Sequence, residues 1–470
     1  MPKGFGDFRD PTPIKSYHPI ASMSTEVKKT EVGSYFISNY PPFSQWTGDA
    51  LPAIHAAMAN PPRKQHSATG EEVETPLGLY LHIPFCRKRC KFCYFKVFTD
   101  VNAGEIERYV SALTHEIELV SQQPVMGGRP FRFVYFGGGT PSFLSVKQLQ
   151  SLFDRLHKSI SWDQAEEVTF ECEPGTLSES KVHALRELGV TRLSLGVENF
   201  SDTILEENGR AHLSKEIHKA WEWIVAAGFP NVNIDLISGM VGETWDNWRE
   251  NVRRTLELSP ESVTIYQMEL PFNTLISAEM RVLGQETIDP SQIADWPTKR
   301  AWVDYAFDTM TKAGYMVSSA YTLVKDKARC QFVYRDSLWH GADMFGTGVA
   351  SFGHVGGVHV QNLDQWEQYV ARVQAGELPL NRALTVAPGQ RMRRELMLQL
   401  KTGRLDPTYF RQKFETDILE IFGDSFAKLE HEGFLHVAPG EINLTRAGLL
   451  QIDRLLPNFF EPEHRGTRYT

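Results

Sequence analysis

From residue 77 to Gly314 the chain alternates short β-rich runs with helical stripes, and this alternation constrains the fold more than any other feature. The β-rich runs are Leu79–Ile83, Phe131–Phe136, Glu167–Glu171, Arg192–Val197, Asn231–Ile237 and Ser262–Gln267. Between them, apolar residues recur three and four apart, as in Ile106, Tyr109, Val110, Leu113 and Ile117, or Val146, Leu149, Leu152, Phe153 and Leu156. Three further stripes run from Val182, Ile217 and Trp245, and a sixth helix spans about Ser291 to Lys312. Gly189, Gly228 and Gly314 stand where helices commonly stop. Strands separated by helices are joined by crossovers and lie parallel. Right-handed crossovers bring the C-terminal ends of all six strands to one rim. The pattern predicts an α/β fold, a partial (β/α)6 barrel. An open doubly wound sheet would show the same local pattern.

The flanks read differently. Residues 1–75 carry Pro11, Pro13, Pro19, Pro41, Pro42, Pro52, Pro61 and Pro62, which preclude a long helix. Tyr35, Phe36, Tyr40, Phe43 and Trp46 exceed the aromatic content that disorder favours, so this segment reads as an N-terminal arm able to drape over a folded domain. Residues 76–320 read as the barrel core and 321–382 as its extension and connection. Residues 383–470 read as a C-terminal helical domain. There, helical stretches near Gln390–Leu400, Pro407–Phe414 and Ile418–His431 lead into a small hairpin turned at Pro439-Gly440, and a last helix covers Arg446–Leu455. Helices feeding a hairpin resemble a winged-helix unit. Such units bind nucleic acid or serve as lids, and a net charge of −9 argues against a partner held through phosphates.

No run of eighteen apolar residues suggests a membrane span, and the first fifteen residues lack the apolar core of a secretory signal. The expectation is a cytoplasmic protein without a membrane partner. Five cysteines fit a reducing compartment rather than a disulfide framework, and three of them fall within eight residues.

Those three, Cys86, Cys90 and Cys93, lie in the loop after the first strand, spaced C-x3-C-x2-C. Thiolates are the ligands of iron–sulfur clusters, and a [4Fe–4S] cluster takes four. Three local ligands would leave one iron with an open position, as catalytic metal sites keep one. Arg87, Lys88 and Arg89 would offset the thiolate charge and lower the thiol pKa values. The alternative is structural zinc, with His82 or a distant residue as fourth ligand. The second strand ends in Gly137-Gly138-Gly139-Thr140-Pro141, where backbone amides can approach a ligand closely. The third ends in Glu171-Cys172-Glu173, the fourth in Gly196-Val197-Glu198 with Arg210 twelve residues on, and the fifth carries Asp235. A buried acid without a partner costs several kcal/mol, so each of these needs a polar contact. Acids on three successive strands, sharing a rim with a glycine loop and a cysteine triad, suit a polar cofactor bearing positive charge.

The segment Tyr80-Leu-His82-Ile-Pro-Phe85-Cys86 through Phe95, with these strand ends, resembles the radical S-adenosylmethionine superfamily. More narrowly it is similar to the oxygen-independent coproporphyrinogen III oxidase family, also called coproporphyrinogen dehydrogenase, over roughly residues 76–456. The resemblance implies a [4Fe–4S] cluster on Cys86, Cys90 and Cys93. It implies S-adenosylmethionine, one molecule or two, held by Tyr80, Phe92, Gly138, Gly139, Thr140, Glu171, Glu198, Arg210 and Asp235, with Phe352 where the family has an aliphatic contact. The stretch Asn39-Tyr40-Pro41-Pro42 is similar to the family's N-terminal arm, and Tyr80 and Tyr40 are the candidates for a direct part in the chemistry. The implied reaction, a step of haem biosynthesis, is radical-initiated oxidative decarboxylation of two propionates of a tetrapyrrole. The implied reductant is a carrier such as flavodoxin or ferredoxin.

Three departures bear on the substrate. Phe95 stands where family oxidases usually have a further cysteine, Glu198 where a glutamine is expected, and Gln267-Met268-Glu269 where they have tyrosine, alanine and histidine. Relatives that methylate, cyclopropanate or open the haem ring are therefore alternatives. A haem-carrying chaperone is an alternative of another class. That branch starts close to its cysteine motif and carries His-Asn shortly after a later cysteine, whereas here about 80 residues precede the motif and Cys330-Gln331 is followed by Phe332-Val333.

Overall fold

The computed structural model describes residues 36–67, 70–269, 274–276, 292–438 and 440–465. Tyr35, the start of the sixth helix at Ser291, and Pro439 of the hairpin turn lie outside these residues.

The six expected strands form as β1 (Leu77–Ile83), β2 (Phe131–Gly138), β3 (Glu167–Cys172), β4 (Arg192–Glu198), β5 (Asn231–Ser238) and β6 (Ser262–Gln267). They pair in sequence order, all parallel. The helices between them are α1 (Ala103–Ser121), α2 (Val146–Ser159), α3 (Glu179–Glu187), α4 (Ser214–Ala227) and α5 (Trp245–Leu258), with α6 (Trp296–Lys312) after β6. Local chemistry sets their ends. The Asn102 side chain accepts from the Gly104 and Glu105 amides, while Glu105 accepts from the Asn102 amide, a reciprocal cap that starts α1. Gly228 adopts a φ of 66° and stops α4, a conformation that a side chain disfavours. The α1 stripe of Ile106, Tyr109, Val110, Leu113 and Ile117 is buried throughout. Such burial is worth roughly 1.5–3 kcal/mol for each large apolar side chain.

The sheet extends beyond the six expected strands. On one side of the core lie β7 (Met316–Ser319) and β8 (Thr322–Val324), with β8 antiparallel to β6. On the other lie β9 (Asp343–Thr347), parallel to β1, then β10 (Phe352–Val355), β11 (Val358–Asn362) and β12 (Leu380–Thr385), antiparallel in turn. The order is β12-β11-β10-β9-β1-β2-β3-β4-β5-β6-β8-β7, one open twelve-stranded sheet.

Residues 36–50 are bound to the core. Ile37, Tyr40 and Trp46 are buried, and Thr47 bridges Ala383 of β12. A nine-residue helix, Leu51–Ala59, follows and buries Ile54 and Met58. In the C-terminal region the stretch 418–431 is two helices, Ile418–Ile421 and Gly423–His431, parted at Phe422, rather than one. The last helix is likewise split into Arg446–Leu449 and Ile452–Leu455. Leu435–Ala438 and Glu441–Leu444 pair as the expected hairpin.

Candidate active site

The ends of β1 to β5 bring the acids, the glycine loop and the cysteine loop to one rim. Parallel register sets Ile83 of β1 opposite Gly138, Glu171 opposite Ser194, and Gly196 opposite Asp235. The cysteine loop leaves β1 and is closed at its base, where the Cys86 amide donates to Phe98 O at 3.1 Å and the Phe98 amide to Pro84 O at 2.7 Å.

The glycines are needed for a reason other than the expected one. A Cβ on Gly139 would lie 2.8 Å from the Pro84 carbonyl carbon, and one on Gly138, whose φ is 115°, would lie 2.7 Å from the His82 ring. Their amides serve the protein itself: Gly138 donates to Glu171 Oε2 at 3.2 Å and Gly139 to Ile83 O at 2.8 Å. The loop therefore fits closely against the end of β1 instead of offering these two amides to a ligand. Thr140 Oγ1 stands 3.4 Å from Cys86 Sγ.

Each strand-end acid has the polar contact its burial demands. Glu171 Oε1 accepts from the Tyr135 hydroxyl at 2.6 Å. Asp235 accepts from the Ser194 hydroxyl at 2.7 Å and from Asn233 Nδ2 at 2.9 Å. Glu198, held at a strained φ of 65° where the β4–β5 register shifts, pairs with Arg210 at 3.6 Å. Burial pushes Glu171 and Glu198 up to about 7 and Asp235 to about 6. Arg210 also donates to Gly196 O at 2.9 Å and to Cys90 Sγ at 3.2 Å, and its Nε is buried with no partner.

The cations beside the thiols are thus Arg210 and, next to Cys93, Arg89 of the neighbouring basic run. Arg87 turns to Glu173 and Arg89 donates to Cys93 O at 3.2 Å. The expected lowering of thiol pKa is reversed: burial pushes Cys86 up to about 12 and Cys93 to about 11, with Cys90 raising both further and Cys93 also raising Cys86. Desolvation of a thiolate outweighs the nearby guanidinium here. Among the described residues no three His, Cys, Asp or Glu side chains close on a single-ion centre. The donor set is three half-buried thiols on one loop, while Cys172 and Cys330 are buried. This chemistry fits a thiolate-ligated cluster, and three raised acids beside an unpaired arginine edge fit a zwitterionic, cationic cofactor.

Tyr80 stacks on Tyr135 at 5.8 Å, with its hydroxyl 3.4 Å from His82 Nδ1. Phe92 packs with Ile204, Ile237, Met240, Val241, Met268 and Ile276. Phe352 and Tyr40 both make contacts that join the arm to the rest of the chain. Phe352 packs its ring on Phe43 of the arm at 4.5 Å. The Tyr40 hydroxyl donates to Glu461 Oε2 at 3.1 Å, accepts from the Glu461 amide at 2.9 Å and meets His464 Nδ1 at 3.0 Å. Those contacts make it a buried tie between the arm and the C-terminal segment. Tyr40→Phe should cost about 1–3 kcal/mol of stability in a urea titration, since it orphans buried partners. Cofactor binding should be unaltered.

Residues that the strand-end reading passed over include Tyr135, Ser194 and Asn233, which hold the acids. Tyr135 shares the period-2 parity of Phe133 and Gly137, the one signal that could have placed it inside. Tyr94, Phe95 and Tyr266 remain 39%, 50% and 45% exposed. Two hollows of about 300 and 390 Å³ lie elsewhere, lined by Glu74 to Leu77 with Arg129 to Arg132, and by Phe200 to Asp202 with Arg254. Neither holds a thiol, so chemistry rather than concavity locates the site.

Comparison with known proteins agrees with this geometry. The Radical SAM superfamily model matches residues 80–255 and the HemN C-terminal domain model residues 386–450. The chain is 24% identical over 463 residues to the oxygen-independent coproporphyrinogen III oxidase of Synechocystis sp., covering 94% of this chain and 95% of that one. It is 26% identical over 376 residues to the heme chaperone HemW of Bacillus subtilis, covering 79% and 96%. In fold it is similar to the solved coproporphyrinogen III oxidase HemN of Escherichia coli, with a TM-score of 0.75 at 23% identity over 90% of this chain and 96% of that one. Its cofactors are a [4Fe–4S] cluster and S-adenosylmethionine, and the chain belongs to the radical S-adenosylmethionine superfamily, in its HemN-like family.

Proposed function

We propose that the chain catalyses oxygen-independent oxidative decarboxylation of coproporphyrinogen III to protoporphyrinogen IX. The arm carries this reading. The Phe36 amide donates to Glu269 just beyond β6, the Ile37 amide donates to Asp453 at 2.9 Å, and Trp46 stacks on His359 at 5.0 Å. A segment so seated beside the rim can shield a reactive intermediate from water, which a carrier does not need. Likeness to the Synechocystis oxidase over 94% of this chain supports the same reading.

Cys86, Cys90 and Cys93 would hold the cluster. Glu171, Glu198 and Asp235 would bind the ammonium, sulfonium and ribose of S-adenosylmethionine, and the free Nε edge of Arg210 its carboxylate. Bound there together, the two cofactors would supply radical chemistry able to activate a C–H bond of a substrate held nearby. The chain's own part is to bind, orient and keep water out. Tyr80 would set the floor of the site through its stack on Tyr135. A cytoplasmic setting, with flavodoxin or ferredoxin as reductant, suits a cluster of this kind. Among the described residues no helix is long and apolar enough to cross a membrane.

Glu171→Ala or Asp235→Ala should weaken S-adenosylmethionine binding about ten- to a hundredfold, at near-normal iron content. The raised acids also give binding a pH dependence. A cationic ligand selects their ionised forms, so affinity should rise from pH 6 to pH 8 and binding should release protons below about 7. Without the ligand the sign for stability is opposite. The folded state holds more protons than the unfolded chain from about 4.5 to 7, so stability falls as pH rises through that window. Calorimetry in buffers of different ionisation enthalpy reads the proton release, and a pH-independent affinity would contradict this assignment of the acids.

Anaerobic incubation with S-adenosylmethionine, dithionite and coproporphyrinogen III should yield carbon dioxide and a product lighter by two carboxyl groups and two hydrogen atoms. The match to heme chaperone HemW relatives at comparable identity supports a second reading. Haem bound stoichiometrically without carbon dioxide release would favour it, and S-adenosylhomocysteine would favour methyl transfer.

A further inference from the structure

The cysteine loop is tied to the barrel beside its first ligand by a contact that cofactor binding does not require. Arg87 follows Cys86, and its guanidinium meets Glu173 as a fork, Nε 3.2 Å from Oε2 and Nη2 3.0 Å from Oε1. The same Nη2 donates to Ala211 O at 2.7 Å. Glu173 comes from the turn after β3, is 8% exposed, and is backed by His212 Nδ1 at 2.9 Å and the Gly175 amide at 3.1 Å. Burial works to raise its pKa, yet His212 and Arg87 hold the carboxyl near 2, so it is an anion at neutral pH. Space is reserved for the fork as well: a Cβ on Gly175 would lie 2.0 Å from Arg87 Nη2.

The rest of the loop is held through other groups. The Lys91 amide donates to Asn208 O at 3.0 Å, and Arg210 reaches Cys90 Sγ. The far end, Tyr94 and Phe95, is exposed. The fork is therefore the side-chain tie next to Cys86.

We propose that Glu173, acting through Arg87, is a positioning residue for the cluster: it fixes the backbone at Cys86 so that the three thiols are in register before iron arrives. Planar, bidentate pairing of guanidinium and carboxylate restricts orientation as well as distance, which a single lysine contact would not do. This rests on the radical S-adenosylmethionine reading of the site.

The test uses full-length protein loaded anaerobically with iron and sulfide. Arg87→Gln and Glu173→Gln should each lose iron to a chelator about ten- to a hundredfold faster than wild type and shift the electron paramagnetic resonance g values of the reduced cluster. The double variant should lose less than the sum of the two single losses, because both single changes remove the fork. Gly175→Ala keeps every charge but displaces the guanidinium, so it should reproduce the spectral shift. The charge-swapped pair Arg87→Glu with Glu173→Arg should recover part of the retention. The melting temperature of the metal-free Arg87→Gln protein should stay near that of wild type, since the Arg87 side chain is 37% exposed. Wild-type iron retention and spectra in both single variants, additive losses in the double, or iron loss that tracks a falling melting temperature would each overturn the proposal. Wild-type protein that takes up no iron would instead overturn the cluster reading beneath it.

Discussion

Cys86→Ala, Cys90→Ala and Cys93→Ala should each abolish assembly of the cluster, whereas Cys172→Ala and Cys330→Ala should leave about four irons and four sulfides per chain. The contrast follows from where the thiols sit. The first three share the loop after β1, are half-exposed and interact electrostatically with one another. Cys172 is buried in the core with its Sγ 3.9 Å from Phe170 O, and Cys330 is 4% exposed. Loss of one thiolate cannot be replaced from these positions. Burial also raises the empty thiols to about 11–12, so a metal must displace protons, and assembly should quicken as pH rises from 7 to 9. Iron and sulfide analysis with the visible absorption of the cluster reads all five variants. Full iron in any single variant of the triad would contradict the ligand assignment.

Asp453→Ala should cost about 3–5 kcal/mol of stability in a urea titration. Lys401 is fully buried, with Nζ 2.7 Å from Asp453 Oδ1 and 2.6 Å from Ile37 O, and it lies over the Phe36 ring at 4.0 Å. Asp453 further accepts from the Ile37 amide at 2.9 Å and from the Tyr321 hydroxyl. Removing the carboxylate leaves an ammonium buried without its counter-ion. Lys401→Met should cost less, because the remaining carboxylate keeps two donors and the methionine fills the space. This junction joins arm, barrel and C-terminal region, so Asp453→Ala should also loosen the arm. Under the proposed reading, 5′-deoxyadenosine should then form in excess over product.

The same junction marks where legibility in the sequence ended. All six core strands were read within two residues at each end, because runs such as Asn231-Val-Asn-Ile234 carry both β propensity and a glycine-closed helix before them. The helices from α1 to α5 announced themselves through apolar spacing and caps. The strand-end acids were legible because a carboxylate among aliphatic neighbours is costly and therefore informative. Long-range pairings were not legible. Nothing local to Tyr40 names Glu461, 421 residues away, or tells that residues 36–50 bury Ile37 and Trp46 instead of lying over a finished surface. Deleting residues 1–50 would therefore remove part of the core as well as a cover. Short strands such as Thr322–Val324 and Phe352–Val355 carry too few residues to show a period, so the six outer strands of the twelve-stranded sheet are not read as strands from the sequence. Arg87 was assigned to the thiols by proximity in sequence, but the buried anion Glu173 attracts it more strongly.

The most direct test of the central claim is reductive cleavage of S-adenosylmethionine by the reconstituted protein, with 5′-deoxyadenosine and methionine counted by mass spectrometry in the absence of oxygen. Wild-type protein bearing about four irons should produce both after one-electron reduction of its cluster, and the Cys86→Ala protein should produce neither. A wild-type protein with its full complement of iron that leaves S-adenosylmethionine intact under these conditions, or that purifies anaerobically with zinc in place of iron, would contradict it.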